Sequence, residues 1–319
     1  MASTDVVMPV SLPTSAGTRE VLDLGYPLLN LQKLDDPKVS IHQCAQKYGP
    51  QAIRSIFEKL QERLKEPTFE ELNLSDNHIG DEGAEFLKEG LKGNTALKRL
   101  LMPRAGLKGA GFQSIGELLE RCPNLEMLVL SSNLADPAGV EKSFSTGLSK
   151  NKSLKSLCLA ACRLQDAGVG SLCKGPLTVH PTLEHVSFNY NRLNDAVISS
   201  VVQMLSTNTK LQYLELCGNS LTPAAAEELL KGLKANKGLR KLGLAQNSLK
   251  AKGTEALCEF FVSQKGQQIE YMDLRHNKTG YYSHVEIRKN ILKKPIEDDE
   301  ANTGWMVNFG ARQLMINAH

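Results

Sequence analysis

One pattern recurs eight times along the chain and restricts its fold more than any other feature. The pattern LxxLxLxxN, with other apolar residues in place of some leucines, begins at Phe69, Leu97, Leu125, Leu154, Leu183, Leu211, Leu239 and Ile269. Successive starts are 28, 28, 29, 29, 28, 28 and 30 residues apart. A constant period of this length is typical of a solenoid, in which each unit buries its apolar side against the next.

Each unit predicts a short strand followed by a helix. Leu72 and Leu74 alternate with other residues, which is the period of a strand with one buried face. Further along the sixth unit, Ala225, Leu229 and Leu233 lie on one stripe of a helix. Because helices are wider than the spacing between strands, a stack of such units curves with its strands inside.

An asparagine usually stands where the chain leaves the strand. It occurs at Asn77, Asn133, Asn191, Asn219, Asn247 and Asn277. Its side-chain amide can both donate to and accept from the backbone at a turn, so we expect these residues to form a stacked ladder. Cys162 takes this place in the fourth unit, and Ala105, which offers no such bond, takes it in the second.

On these motifs the sequence resembles the ribonuclease-inhibitor-like class of leucine-rich repeats, LxxLxLxxNxLxxxGxxxLxxxL, over residues 69 to about 290. The resemblance implies an α/β leucine-rich repeat solenoid shaped as a horseshoe, with parallel strands on the concave face and helices on the convex face. The class includes repeat domains of innate-immune nucleotide-binding receptors, Ran GTPase-activating proteins, tropomodulins and ciliary structural proteins. Function must therefore be argued from the site rather than from the fold.

The repeats divide the chain into four parts. We expect a flexible tail over 1–27, a helical amino-terminal cap over 28–68 with one helix at 50–65, and about eight repeats over 69–292. The last part, 293–319, contains the apolar residues Trp305 and Phe309. A disordered tail would not carry such residues, so this part either caps the solenoid or docks onto another protein.

Composition argues against several classes of function. The chain of 319 residues has 38 basic and 35 acidic residues, a net charge of +3, which does not favour nucleic acid or an anionic membrane as a partner. No stretch approaches the roughly 18 apolar residues of a membrane span. The amino terminus lacks the features of a secretory signal, and seven cysteines without a CxxC pair are typical of a reducing compartment. We expect a cytoplasmic protein.

The sequence contains no recognisable motif for catalysis or metal binding. It has no GxxxxGK[ST] loop, no HExxH and no GxSxG turn, and its seven histidines are dispersed. The sequence therefore predicts that the protein is not an enzyme and has no cofactor, metal ion or small-molecule substrate.

The strand positions that face the inside of the horseshoe predict a surface for a protein partner. Their middle is small and apolar, and the later units add tyrosines, a composition found in protein interfaces. The candidate residues are Leu101, Met127, Val129, Cys158, Tyr190, Tyr213 and Tyr271. A neighbouring row alternates in charge through Glu70, Lys98, Glu126, Lys155 and Glu184, and we interpret it as a structural ladder of attractive pairs.

Two functions follow from the sequence. The first is a non-catalytic scaffold for protein–protein interaction, a structural subunit of a larger cytoplasmic multi-protein complex; the resemblance suggests the cytoskeleton or the cilium. The alternative is a regulator of a small GTPase resembling Ran GTPase-activating proteins. Those proteins carry a long acidic tail after the repeats, where this chain has four acidic residues at 297–300.

Overall fold

A single sheet runs through the part of the chain that the computed structural model describes, which is residues 38–40, 70–263, 268–293, 305–309 and 311–316. Its strands are β1 Lys38–Ser40, β2 Glu71–Asn73, β3 Arg99–Leu101, β4 Met127–Val129, β5 Ser156–Cys158, β6 His185–Ser187, β7 Tyr213–Glu215, β8 Lys241–Gly243, β9 Tyr271–Asp273, β10 Trp305–Phe309 and β11 Arg312–Ile316. The strands β1 to β9 lie in chain order and pair in parallel.

Helices connect the repeat strands on one side of the sheet. They are α1 Gly80–Gly90, α2 Gly109–Arg121, α3 Pro137–Gly139, α4 Ser145–Lys150, α5 Gln165–Lys174, α6 Ile198–Thr207, α7 Pro223–Ala235, α8 Lys250–Val262 and α9 Tyr281–Glu286. A π-helical segment, Val140–Phe144, joins α3 to α4, and another, Ile287–Leu292, follows α9. Short 3₁₀ turns lie at Pro176–Thr178 and Asp195–Val197. This alternation of parallel strands and helices confirms the predicted α/β leucine-rich repeat solenoid.

The hydrophobic core lies between the sheet and the helices. The central residue of each repeat strand is 0% exposed: Leu72, Leu100, Leu128, Leu157, Val186, Leu214, Leu242 and Met272. Burying an aliphatic side chain of this size stabilises a fold by about 1.5–3 kcal/mol. The residues on either side of each central one lie on the opposite, concave face of the sheet, so the strand pattern itself exposes a second surface.

The asparagine ladder is confirmed. Asn191 accepts hydrogen bonds from the backbone N–H groups of Cys162 and Leu164, both at 3.1 Å, and its amide donates to the carbonyl of Leu159 at 2.8 Å. In the fourth unit, where Cys162 stands in place of asparagine, its thiol donates to the Leu130 carbonyl at 3.1 Å. Each buried turn therefore receives partners from its neighbouring repeat.

A second ladder, which the sequence analysis did not predict, lies where the helices return to the strands. Asn208 accepts from the N–H groups of Lys210 and Leu211 at 2.8 Å and donates to the Leu177 carbonyl at 2.6 Å. Equivalent bonds are made by Asn94, Asn151 and Asn236. His180 takes this position in one repeat, and its Nδ1 accepts from the N–H of Leu183 at 3.2 Å.

Strands outside the eight repeats extend both ends of the sheet. Lys38–Ser40 pairs in parallel with β2, so at these residues the predicted helical cap over 28–68 is corrected to a strand. The predicted tail over 1–27 and the predicted helix over 50–65 lie outside the described residues. At the other end β11 pairs in parallel with β9, and β10 pairs antiparallel with β11. No helix in the described part of the chain is long and apolar enough to cross a membrane.

Candidate functional site

Four of the predicted site residues form one apolar patch on the concave face. Leu101, Val129 and Cys158 are paired in register on β3, β4 and β5. Met127 lies two residues before Val129 and therefore on the same face of β4. Neighbouring strands are about 4.8 Å apart, so the side chains form a continuous row. We call Leu101, Met127, Val129 and Cys158 the apolar patch.

The exposed part of the apolar patch consists of Leu101, Met127 and Val129, each of which is half-buried. Cys158 is only 5% exposed, and its Sγ lies 3.2 Å from Oγ of Ser131. Burial raises the pKa of the Cys158 thiol. Its hydrogen-bonding contacts, of which the one to Ser131 is the largest, lower the pKa by less than burial raises it. Cys158 is thus a protonated thiol at the floor of the patch and not an activated nucleophile.

Aromatic rings continue the concave face in the later repeats. Tyr213 on β7 and Tyr271 on β9 stand on either side of Lys241 on β8. The Lys241 ammonium lies 5.9 Å from the centre of the Tyr213 ring. On its other side, Tyr213 stacks on His185 with ring centres 4.6 Å apart and planes 10° from parallel. These stacked groups form a rigid polar and aromatic half of the surface.

A buried carboxylate supports the aromatic half. Glu215 is 5% exposed, accepts a hydrogen bond from the Asn189 amide at 2.9 Å, and lies 3.8 Å from Nε2 of His185. Burial by itself raises the pKa of the Glu215 carboxyl. Hydrogen-bonding groups of His185, Ser187 and Tyr213 outweigh that effect and hold the pKa below its ordinary value. Glu215 is therefore ionised at neutral pH.

A second carboxylate lies two strands away. Asp273 is 6% exposed and accepts two hydrogen bonds from the Arg275 guanidinium, at 2.9 and 2.6 Å. Burial, with the charge of Asp273, raises the pKa of Tyr271 to about 12, so its hydroxyl stays protonated. Gly243 stands in register between Glu215 and Asp273. A Cβ atom at position 243 would lie 2.9 Å from Sγ of Cys217, so glycine there leaves room for the Cys217 side chain between the two acidic residues.

Tyr190 lies at the rim of the surface rather than on a strand. It follows β6 with a φ of 56° and is 36% exposed. Its ring covers Gly218, where a Cβ atom would overlap the ring, and its hydroxyl donates to the Gln246 side chain. Tyr190 thus bridges three repeats, and glycine at position 218 makes room for it.

The alternating charge row forms the predicted attractive pairs at several positions. Lys98 lies 2.9 Å from Glu70, and Lys155 lies 3.3 Å from Glu126. Both pairs are largely exposed, so each contributes no more than about 1 kcal/mol. The row is a structural feature of the repeat edge, as the sequence predicts.

Trp305 and Phe309 lie apart from the concave candidates, at the two ends of β10. Trp305 pairs with Ile316 and Phe309 with Arg312 across the hairpin. The structure therefore places the apolar patch and the two concave tyrosines on one face of the sheet, but it places Trp305 and Phe309 at the outer edge of the sheet.

Sequence reasoning did not select His185, Glu215, Asp273 and Arg275 as site residues. The available signal was charge, since Glu215 and Asp273 occupy a row in which the equivalent residues of the earlier repeats are small, polar or apolar. Their pairing with His185 and Arg275 depends on contacts between side chains, which the repeat period does not specify.

Among the described residues, the concave face has neither a metal-binding cluster nor an activated thiol. Among them, no group of three His, Cys, Asp or Glu side chains is placed to hold a metal ion. Cys217, the partly exposed thiol of the concave face, has its pKa raised to about 12, chiefly by burial. A thiol with this pKa is a poor nucleophile at neutral pH.

Comparison with known proteins agrees with the repeat assignment. The family profile described as Leucine Rich repeat matches residues 65–88 and 150–173. Ribonuclease inhibitor of Sus scrofa is 30% identical over 205 residues, covering 63% of this chain and 42% of the inhibitor. NACHT, LRR and PYD domains-containing protein 5 of Homo sapiens is 30% identical over 152 residues, covering 47% and 13%. The chain thus spans less than half the length of these relatives.

A solved structure also aligns with this chain. It is titled "Crystal structure of Rad7 and Elc1 complex in yeast" and has a TM-score of 0.36 and 17% sequence identity. The alignment covers 73% of this chain and 70% of that one.

Proposed function

We propose that this leucine-rich-repeat protein of the ribonuclease-inhibitor-like class is a non-catalytic scaffold whose concave face binds a protein partner. The observation that carries the proposal is the apolar patch of Leu101, Met127 and Val129 beside the rigid aromatic half. An apolar centre flanked by tyrosines and charged groups has the composition of a protein interface. The sheet holds both halves in place before binding, which reduces the ordering cost of association.

The name of one relative supports a protein ligand. An inhibitor of ribonuclease acts on a protein, and it shares repeats of this type over 63% of the present chain. The aromatic half of the concave face supplies stacking and hydrogen-bonding groups, and the apolar patch supplies the surface that loses water on binding. The partner we propose therefore contributes an apolar anchor opposite Val129 and polar groups opposite Tyr213 and Tyr271.

The substitution Val129→Glu tests this proposal. Val129 is half-buried at the centre of the apolar patch, so a carboxylate there is desolvated by a partner but remains hydrated in the free protein. We expect loss of the partner in quantitative affinity purification, with an unchanged melting temperature.

The matched control is Val179→Glu. Val179 is 80% exposed in the loop before β6, so the same change of residue lies outside the concave face. Two outcomes would contradict binding through the apolar patch. One is that the Val129→Glu variant retains the partner, and the other is that the Val179→Glu variant loses it to the same extent.

We further propose that the scaffold is a cytoplasmic structural subunit of a multi-protein complex of the cytoskeleton or cilium. This placement rests on the resemblance of the repeats to those of ciliary and cytoskeletal proteins. Cross-linking mass spectrometry on protein isolated from its native source tests it. Reproducible cross-links from Lys98 or Lys155 to cytoskeletal or ciliary subunits support the placement, and a monomer without cross-links contradicts it.

The alternative is regulation of a small GTPase, which rests on the shared repeat class of Ran GTPase-activating proteins. A single-turnover GTP hydrolysis assay distinguishes the two functions. A scaffold leaves the rate of GTP hydrolysis unchanged. An activating protein accelerates it, and the rate reaches a plateau as the concentration of that protein rises. Acceleration would also overturn the proposal that the chain is a non-catalytic scaffold.

A further inference from the structure

A shallow cavity opens at the edge of the sheet where the strands begin, outside the concave surface described above. Its volume is about 500 Å³, and residues from four successive repeats line it. The charged and amide side chains of its lining are Lys155, Glu184, Lys210, Gln212, Lys237 and Arg240. We call this cavity the basic groove.

The basic groove concentrates positive charge. Its lining has four cationic side chains and one acidic one, a net charge of +3, which equals the net charge of the whole chain. Lys155 and Arg240 are directed to acidic residues beyond the two ends of the groove, Glu126 at 3.3 Å and Glu270 at 3.9 Å. Within the described residues, Lys210 and Lys237 form no ion pair.

The charge is not required by the repeat. The residues equivalent to Lys210 in the other seven units are uncharged: Thr68, Ala96, Asn124, Ser153, Thr182, Gly238 and Gln268. Gln212 interrupts the row of alternating charges that elsewhere forms compensating pairs. Since exposed cations near one another repel, the cluster carries a small cost in stability that a negatively charged partner removes.

The dimensions of the basic groove indicate what it holds. Four adjacent strands span three spacings, or about 14 Å, and an extended peptide covers that length with about four to five residues at 3.3 Å each. A groove lined by side chains of both Lys and Arg, with amide and hydroxyl groups between them, is suited to carboxylates placed along an extended chain.

We propose that the basic groove binds an extended acidic segment of a protein partner, rich in Asp and Glu over four to five residues. This goes beyond the concave-face proposal, because the groove is a second surface at the edge of the same sheet. Exposed ion pairs contribute less than about 1 kcal/mol each, so the isolated contact is weak and depends strongly on salt. In a complex it would add to binding at the concave face.

Fluorescence anisotropy with the 319-residue chain and a labelled acidic hexapeptide of alternating Glu and Asp tests the proposal. The groove variant combines Lys210→Glu with Lys237→Glu. The control combines Lys92→Glu with Lys142→Glu, which changes two exposed lysines of the first and third repeats and alters the net charge equally. Melting temperatures establish that both double variants are folded. If the groove variant does not fold, Lys210→Gln combined with Lys237→Gln takes its place.

We expect the groove variant to lose at least about tenfold in affinity at low salt, and the control less than about threefold. Val129→Glu should bind the acidic peptide as the unaltered protein does, so failure of the concave-face proposal remains distinguishable. Equal losses in the groove variant and the control would overturn the proposal, because binding would then follow net charge alone. Absence of peptide binding at low salt would overturn it as well. Binding of inorganic phosphate, with no binding of the peptide, would assign the groove to another ligand.

Discussion

Among single residues, His180 shows how one substitution in a ladder introduces sensitivity to pH. Its Nδ1 accepts backbone N–H groups in the place where neighbouring repeats use asparagine. Burial, followed by the charge of Lys152, lowers the pKa of His180 to about 4, although the backbone of Leu148 opposes both effects. An accepting, neutral ring is therefore part of the folded state at neutral pH.

The pKa difference predicts a loss of stability in mild acid. The ring is neutral in the folded state down to pH about 4, whereas in the unfolded chain it protonates near pH 6.5. Protons therefore favour the unfolded state as pH falls from 6.5 to 4, and at pH 5 the loss is about 1–2 kcal/mol. Urea unfolding at pH 7 and pH 5 measures it.

His180→Asn is the matched variant, because Asn151, Asn208 and Asn236 hold the equivalent position. We expect it to fold and to lose less stability between pH 7 and pH 5 than the unaltered protein. Equal losses in the two proteins would show that His180 does not titrate in this way.

Among the elements, the contact between α2 and α4 depends on the absence of side chains. A Cβ atom on Gly116 would overlap the backbone of Ser143 and Phe144, and one on Gly147 would overlap the carbonyl of Gly116. Glycine normally destabilises a helix by about 1 kcal/mol relative to alanine. Here it permits close packing of two helices, one of which begins after the π-helical segment Val140–Phe144.

Gly116→Ala is expected to lower stability by about 1–3 kcal/mol, because backbone atoms must shift to admit the methyl group. Gly170→Ala is the control: it lies in α5, and its nearest neighbour would be Oγ of Ser200 at an ordinary 3.5 Å. That control should be neutral or slightly stabilising, in keeping with helix propensity. Thermal unfolding compares the two variants, and a tolerated Gly116→Ala would contradict the close contact.

For the whole molecule, the main structural problem of a solenoid is its open ends. Beyond β9, the strand β11 continues the sheet, with Leu314 at 0% and Ile316 at 1% exposure. The Arg312 guanidinium lies 4.1 Å from the centre of the Phe261 ring and donates to the Ile269 carbonyl at 2.9 Å. We propose that residues 293–319 act as a cap rather than as a docking tail.

Deleting residues 303–319 tests the cap. It would uncover the edge of β9 and the apolar surface that Leu314 and Ile316 cover, so we expect a lower melting temperature for the isolated protein. The single substitution Leu314→Ala should act in the same direction, by about 2–5 kcal/mol. Gln313→Ala, next to it but only partly buried, is the control. An unchanged melting temperature after deletion would favour a docking role for this segment.

The sequence by itself determined the fold of the repeats, including the buried leucines of the strands and the ladder through Asn191. These features recur in each unit and depend on contacts between neighbouring repeats, so a constant period of 28–30 residues is enough to specify them. The same pattern identified Leu101, Met127 and Val129 as concave, because side chains alternate between the two faces of a strand.

The tertiary structure alone decided what the variable positions do. The pairing of Glu215 with His185, the role of His180 in a ladder, the glycine contact of α2 with α4 and the basic groove all join residues whose partners lie in other repeats. The placement of β11 beside β9 joins segments about 40 residues apart that share no repeat motif. The physical reason is that packing and charge at these points depend on which side chains meet in space, and the period constrains only the backbone that presents them.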